Sequence, residues 1–328
     1  MANERTIRSG QNRIFILLLM FAAVSSAVKD LDRLRDLSRS VQNVAASWMQ
    51  IGSTVYASGL AAEPRSCPEV TMVQEKSQDF HWVGPIASGQ SIEIRGINGG
   101  ITAEPAPGSD LEVFAVKKGR RSDPASVDIK VVPHAGGVTI CAVYPNEYSD
   151  GNNSCQPGGT AFNSEGKPQN RESSGTINVR NNDVNVEFKV RVPSGVAFVG
   201  RTVNGEIAAK ALNGNVDSRT VNGSIDIATA GYARARTVNG GISARMGRAD
   251  WKDTLDFKTI NGGIDLDFPA SLNTTIDAET FNGDVESDFP LKVLGRISRK
   301  HMSGTIGEGG RELLLKTLNG SIRVKKSS

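Results

Sequence analysis

Three carboxylates have the spacing to act together: Asp265 and Glu286 each stand four positions after the Asn of an Asn-Gly pair, and Asp284 stands beside the second. If successive pairs stack, Asp265 and Glu286 fall one repeat apart. Two carboxylates converging on one centre suit calcium ligation or acid–base cleavage of a polysaccharide. The plainer expectation is a solvated acidic face, because the glycine-rich nonapeptide of calcium-binding β-rolls is absent and aromatics are only 5% of the chain. Basic residues form a second series. Arg201, Lys210, Arg219, Arg236, Lys258, Lys300 and Lys316 each stand three positions before an Asn, or before Ser303, and Glu279 interrupts them. Stacked at about 4.8 Å, such cations repel unless anions or acidic neighbours intervene. Arg201, Arg219, Arg236, Lys258, Lys300 and Lys316 are therefore a candidate linear site for an acidic polysaccharide or lipid headgroup; a solubilising face that discourages sheet association is the plainer reading.

Other chemistry is sparse. His81, His134 and His301 lie far apart and without metal-ligand spacing, as do Cys67, Cys141 and Cys155. No nucleotide loop, zinc motif or serine-histidine-aspartate order appears, so no cofactor is expected and the non-enzymatic reading leads. Cys141 and Cys155 bracket a turn-rich segment and are expected to form a disulfide, leaving Cys67 unpaired; a bridge of this span stabilises by about 3 kcal/mol in the chain-entropy model.

The elements that must position these side chains come from a repeat. Thr202-Val203-Asn204-Gly205-Glu206-Ile207 returns around Asn222, Asn239, Asn261, Asn282 and Asn319, with shorter copies at Asn98 and Asn213 and a degenerate one at Ser303. Setting Asn213 aside, the interval from Asn204 onward is 16 to 22 residues, the length of one solenoid rung. Asn-Gly is also the strongest signal for a two-residue hairpin, in which Thr259 would face Ile264, Phe257 would face Leu266 and Leu255 would face Phe268. A meander gives no reason for Thr, Asn and Ile to recur in register, whereas stacked parallel rungs do. The expected fold is all-β: a parallel β-helix or β-solenoid with Asn-Gly corners, and Ile207, Ile225, Ile242, Ile264, Val285, Ile306 and Ile322 as one internal column. The apolar residue before each Asn, Val203 through Leu318, either tucks into the corner or forms an exposed stripe.

Composition agrees with that architecture. The 328 residues include 35 glycines and 13 prolines, which suit many short strands and turns rather than a large helical enzyme. A formal charge of +3 gives no field directed at nucleic acid. Arg5, Arg8 and Arg13 precede an apolar run from Ile14 to Val24 and the small residues Ser25, Ser26 and Ala27, the pattern of a secretory signal or short membrane anchor. Leu31, Leu34, Leu37, Val41, Val44, Trp48, Ile51 and Val55 then recur at helical spacing. The expected organisation is a signal or anchor at 1–27, an amphipathic helix and linker at 28–66, and a solenoid at 67–328, irregular over 67–195 and regular over 196–328.

The Thr-Val-Asn-Gly-x-Ile repeat, the opening Phe80-His81-Trp82 with Ser91-Ile92-Glu93-Ile94-Arg95-Gly96-Ile97-Asn98-Gly99-Gly100-Ile101, and the ending Leu313-Leu314-Leu315-Lys316-Thr317-Leu318-Asn319-Gly320-Ser321-Ile322 resemble the bacterial putative-adhesin β-strand-repeat family of exported proteins. The resemblance covers residues 79–326. It implies a parallel β-helix at the cell envelope, in the periplasm or at the cell surface, with no established enzyme activity. The functional expectation is a binding or scaffolding surface for anionic glycans, another envelope polysaccharide or another envelope protein, touching the membrane only through its N-terminus. A polysaccharide-processing enzyme and an envelope-stress sensor scaffold are the alternatives.

Overall fold

A computed structural model describes residues 76–145, 154–157, 181–252, 254–293 and 298–327. The expected signal segment, the amphipathic helix and Cys67 lie outside these residues. Among the described residues no helix is long and apolar enough to cross a membrane.

The described residues open with β1 (Lys76–Pro85), β2 (Ser91–Arg95), β3 (Ile101–Pro105), β4 (Asp110–Gly119), β5 (Asp128–His134), β6 (Gly137–Val143) and β7 (Asn185–Val192). Regular winding follows in β8 (Ala197–Arg201), β9 (Ile207–Leu212), β10 (Val216–Arg219), β11 (Ile225–Thr229), β12 (Ala233–Arg236), β13 (Ile242–Met246), β14 (Thr254–Lys258) and β15 (Ile264–Phe268). The last strands are β16 (Thr274–Asn282), β17 (Val285–Ser287), β18 (Leu291–Val293), β19 (His301–Ile306), β20 (Glu312–Asn319) and β21 (Ile322–Lys326). They form two sheets. One runs β1-β4-β7-β3-β9-β11-β13-β15-β21-β17 and the other β18-β19-β16-β20-β14-β12-β10-β8-β2-β6-β5.

Each Asn-Gly corner except that at Asn213 passes the chain from the second sheet to the first. β14 pairs in parallel with β12 and β20, while β15 pairs in parallel with β13 and β21, so Thr259 and Ile264 belong to different sheets and the hairpin alternative fails. Alternation within each strand sends every second side chain between the sheets. Ile101, Ile207, Ile225, Ile242, Ile264, Ile322 and Val285 stack in register from the first sheet. Ile92, Phe198, Val216 and Ala233 stack from the second, as do Leu255, Leu313 and Ile276. Burial of an isoleucine at such a position stabilises by about 1.5–3 kcal/mol, which is why the repeat keeps an aliphatic residue there.

Three residue types hold the corner. The Asn residues form a column of side-chain amides in which Nδ2 of Asn204 donates to Oδ1 of Asn98, Asn222 to Asn204, Asn239 to Asn222, Asn261 to Asn239, Asn319 to Asn261 and Asn282 to Asn319, at 2.7–2.9 Å. Threonine Oγ1 closes the inside: Thr220 donates to the Gly205 carbonyl, Thr237 to Gly223, Thr259 to Gly240, Thr317 to Gly262 and Thr280 to Gly320, at 2.8–2.9 Å. Glycine is required by close approach. A Cβ on Gly262 would lie 2.0 Å from the Gly240 carbonyl oxygen, and one on Gly320 2.1 Å from that of Gly262.

The rungs do not stack in chain order. β20 and β21 insert between the β14–β15 rung and the β16–β17 rung, so Asn319 lies between Asn261 and Asn282. The degenerate copy at Ser303 makes no rung. It forms β19, antiparallel to β16, with Ser303 opposite Asp277, and Ile306 is buried opposite Thr274 rather than in the isoleucine column. Ser303 has no amide to extend the column, which ends at Asn282. At the opposite end antiparallel strands also flank the parallel rungs, with β5 pairing β6 and β4 pairing both β1 and β7. Asn213 also departs from the corner column: it follows β9, at the turn from the first sheet back to the second.

Candidate functional site

The outer face of the second sheet carries the cations. Cα register aligns Arg95, Arg201, Arg219, Arg236, Lys258 and Lys316 on consecutive rungs, followed by Glu279 and His301. Lys300 is not in this column. It precedes antiparallel β19 and its ammonium stands 5.5 Å from the centroid of the Phe281 ring. Lys210 is absent too, because it belongs to β9 of the other sheet, next to a bulge where Ala211 has φ 51°. Sequence reading missed Arg95, although the same spacing from Asn98 marks it.

The column is not a bare row of like charges. Two residues earlier on the same face stand Glu93, Asp217, Arg234 and Asp256, and these interleave with it. Glu93 binds Arg95 through two bonds of 2.9 and 3.0 Å and approaches Arg201 at 3.1 Å. Asp217 accepts from Arg234 at 2.6 Å and lies 3.4 Å from Arg219. Asp256 accepts from Arg236 at 2.6 Å and lies 3.4 Å from Lys258. Lys316 reaches Glu279 at 3.3 Å.

Exposure changes along the column. Arg201 and Arg219 are 19% and 20% exposed, whereas Arg236, Lys258 and Lys316 are 33%, 41% and 47% exposed. Burial lowers the pKa of Arg219; Asp217 opposes that shift, while the like charges of Arg201, Arg236 and Arg234 add to it. The Nε–H groups of Arg201 and Arg219 lie within ion-pair distance of carboxylates but are not aligned for hydrogen bonds, which leaves two buried donors without an acceptor.

The acidic residues of the first sheet are arranged differently from expectation. Arg323 of β21 occupies the rung between Asp265 and Glu286, in register with both. It lies 3.5 Å from each carboxylate, and Lys325 approaches Asp265 at 3.6 Å. Asp284 is exposed at the corner and its backbone N–H donates to the Ser321 hydroxyl. The inserted rung turns the anticipated carboxylate pair into an acid–base–acid column, and no cluster of metal-binding type occurs among the described residues.

Cys141 and Cys155 form a disulfide with Cα atoms 5.7 Å apart, tying residues 154–157 to β6. The histidines have separate partners: His81 meets Glu112 at 3.0 Å, His134 meets Thr139 at 3.2 Å and His301 meets Asp277 at 2.9 Å. The stripe before the Asn column is half-buried at Val203, Val221, Val238 and Ile260, and opens at Leu318 (46% exposed) and Phe281 (64% exposed).

Residues 207–325 match the family model described as Toastrack DUF4097. That matched stretch is similar to the family over the rungs where the Asn-Gly repeat is most regular. A putative cell adhesion protein from Clostridium sporogenes is structurally similar, at 11% identity and TM-score 0.39 over 77% of this chain and 100% of that one. A putative adhesin from Bacteroides fragilis is similar at 10% identity and TM-score 0.25 over 76% and 97%. No curated protein matches the chain.

Proposed function

We propose that the protein is a non-enzymatic binding surface of the bacterial envelope, holding an anionic glycan along the outer face of its second sheet. The register of Arg236, Lys258 and Lys316 carries this reading, since the three lie on consecutive rungs and are 33%, 41% and 47% exposed. A regular polyanion presents oxygens at repeated intervals and meets a column of cations spaced at about 4.8 Å. The Cys141–Cys155 bridge fits an oxidising compartment, and so supports export. In the same reading residues 1–27 direct export, residues 28–66 connect that segment to the solenoid, and a protein partner at the envelope remains compatible with the face. The enzymatic alternative is weakened by Arg323, which separates the carboxylates it would use.

The test is binding of polygalacturonate to the purified chain, with and without Lys258→Glu and Lys316→Glu together. These lysines are half-exposed, so their reversal leaves the core intact. Binding that weakens about tenfold or more and falls with salt is expected. Binding indifferent to both the reversal and salt returns the column to a solubilising role.

A further inference from the structure

The chain holds eight Asn-Gly pairs, at Asn98, Asn204, Asn213, Asn222, Asn239, Asn261, Asn282 and Asn319. Such a pair has a reaction of its own. The backbone nitrogen of the glycine, after losing its proton, attacks Cγ of the asparagine; the Cγ–Nδ2 bond breaks, ammonia leaves and a five-membered succinimide forms. Water then opens the ring at either carbonyl, giving aspartate or isoaspartate. One water is consumed, one ammonia is released and nothing is oxidised or reduced. The step needs a free glycine N–H and an asparagine side chain able to rotate onto it.

Six of the eight pairs lack that freedom. The N–H of Gly99 donates to the carbonyl of Asn204, and likewise Gly205 to Asn222, Gly223 to Asn239, Gly240 to Asn261, Gly262 to Asn319 and Gly320 to Asn282, at 2.8–2.9 Å. The attacking nitrogen is thus occupied by the next rung. In five of these pairs the asparagine amide is also held from both sides by its neighbours in the column. Asn98 is held from one side, by Asn204.

Two pairs escape. Asn282 is on the last rung of the column, so among the described residues no following asparagine accepts from Gly283 N–H, and the one side-chain bond of Asn282 is its donation to Asn319. Asn213 lies off the column, is exposed, and has no side-chain partner among the described residues. We propose that Asn213 and Asn282 are the deamidation sites of the folded protein, and that stacking protects the other six. At Asn282 the product replaces an amide donor with a carboxylate facing Asn319 Oδ1, so the reaction removes the terminal hydrogen bond of the column.

The experiment incubates the full chain at mildly alkaline pH, folded and in urea, and follows each pair by peptide mass mapping. Asn261 and Asn282 share one tryptic peptide, because no Lys or Arg lies between Lys258 and Lys292, and fragment ions separate them. In the folded protein Asn213 and Asn282 are each expected to convert about tenfold or more faster than any of the other six, since reaction there requires no opening of the column. In urea the eight rates should converge. The proposal is overturned if either residue lags with the protected six when folded, or if the same two remain fastest in urea, which would assign the selectivity to flanking residues rather than to the fold.

Discussion

Nδ2 of Asn319 donates to Oδ1 of Asn261 at 2.7 Å, joining residues 58 positions apart in the chain as neighbours on the corner. Its own Oδ1 accepts from Asn282. The final repeat in sequence is therefore an interior rung in space, and the amides all point the same way along the column. Each interior asparagine both donates and accepts, whereas the two ends make one bond each.

That asymmetry predicts unequal costs for one substitution. Asn239→Ala removes two side-chain hydrogen bonds, to Asn222 and from Asn261, and Asn282→Ala removes one. At about 0.5–1.5 kcal/mol per bond, the interior variant should lose roughly twice the stability of the terminal one. Urea midpoints of the two variants measure this, and equal losses would mean that the amides do not act as a column.

Glycine at the corner should tolerate no side chain, for a reason separate from hydrogen bonding. Gly262→Ala places a methyl 2.0 Å from the Gly240 carbonyl oxygen, in backbone that the two adjoining rungs hold fixed. Gly108→Ala meets nothing within 4 Å. The first is expected to destabilise by more than about 2 kcal/mol and the second to stay within about 0.5 kcal/mol. Thermal melts of the pair give the comparison.

The isoleucine column and the Asn corner are legible in the sequence because Thr, Asn, Gly and Ile recur at fixed offsets that only stacking explains. The order of the rungs is not legible, because an Asn side chain pairs with any other Asn in register regardless of its place in the chain. Ser303 was the available signal: without an amide it cannot continue the column, and its strand runs antiparallel instead. The cation site was half legible. Its basic residues follow from the offset before each Asn, but Glu93, Asp217 and Asp256 occur on only some rungs and so lack the periodicity that draws attention to the basic column.

The disulfide should stabilise chiefly by restricting the unfolded chain, because it closes a short loop of 14 residues. Cys141→Ser with Cys155→Ser is expected to cost on the order of 3 kcal/mol, seen as a lower Tm than that of the oxidised wild type. Reduction of the wild type should reproduce the loss, and an unchanged Tm after complete reduction would contradict it.

Acid should loosen the contact made by Asp183. Burial raises its pKa, but the backbone N–H groups of Ser122 and Arg121, which donate to the carboxylate at 2.8 and 3.0 Å, lower it further, so the net shift is below the ordinary 3.8. A carboxyl depressed by folding contributes stability that is present above its unfolded pKa and is lost as pH falls through the folded value. Wild type should therefore exceed Asp183→Asn in stability at neutral pH, with the difference shrinking below about pH 4. Urea midpoints across that range test it, and a difference independent of pH would assign the effect to packing.

Arg323 makes the strongest electrostatic prediction on the first sheet. It stands between Asp265 and Glu286 at 3.5 Å from each, and all three side chains are at least 40% exposed. Removing one exposed ion pair costs little, because solvent screens it. Arg323→Glu does more: it places three carboxylates on consecutive rungs about 4.8 Å apart, where like charges directly opposite destabilise by roughly 0.2–1 kcal/mol per pair. The variant should unfold at lower urea than wild type in dilute buffer and recover most of the difference at 1 M salt, where the screening length is about 3 Å. It should also bind calcium, since the substitution creates the convergent carboxylates that the inserted rung denies to the natural sequence. Calcium-dependent protection in Arg323→Glu and none in wild type would establish that this single arginine separates an ion-paired face from a metal site. A deficit that salt and calcium both leave unchanged would show that Arg323 acts through packing of its aliphatic stem.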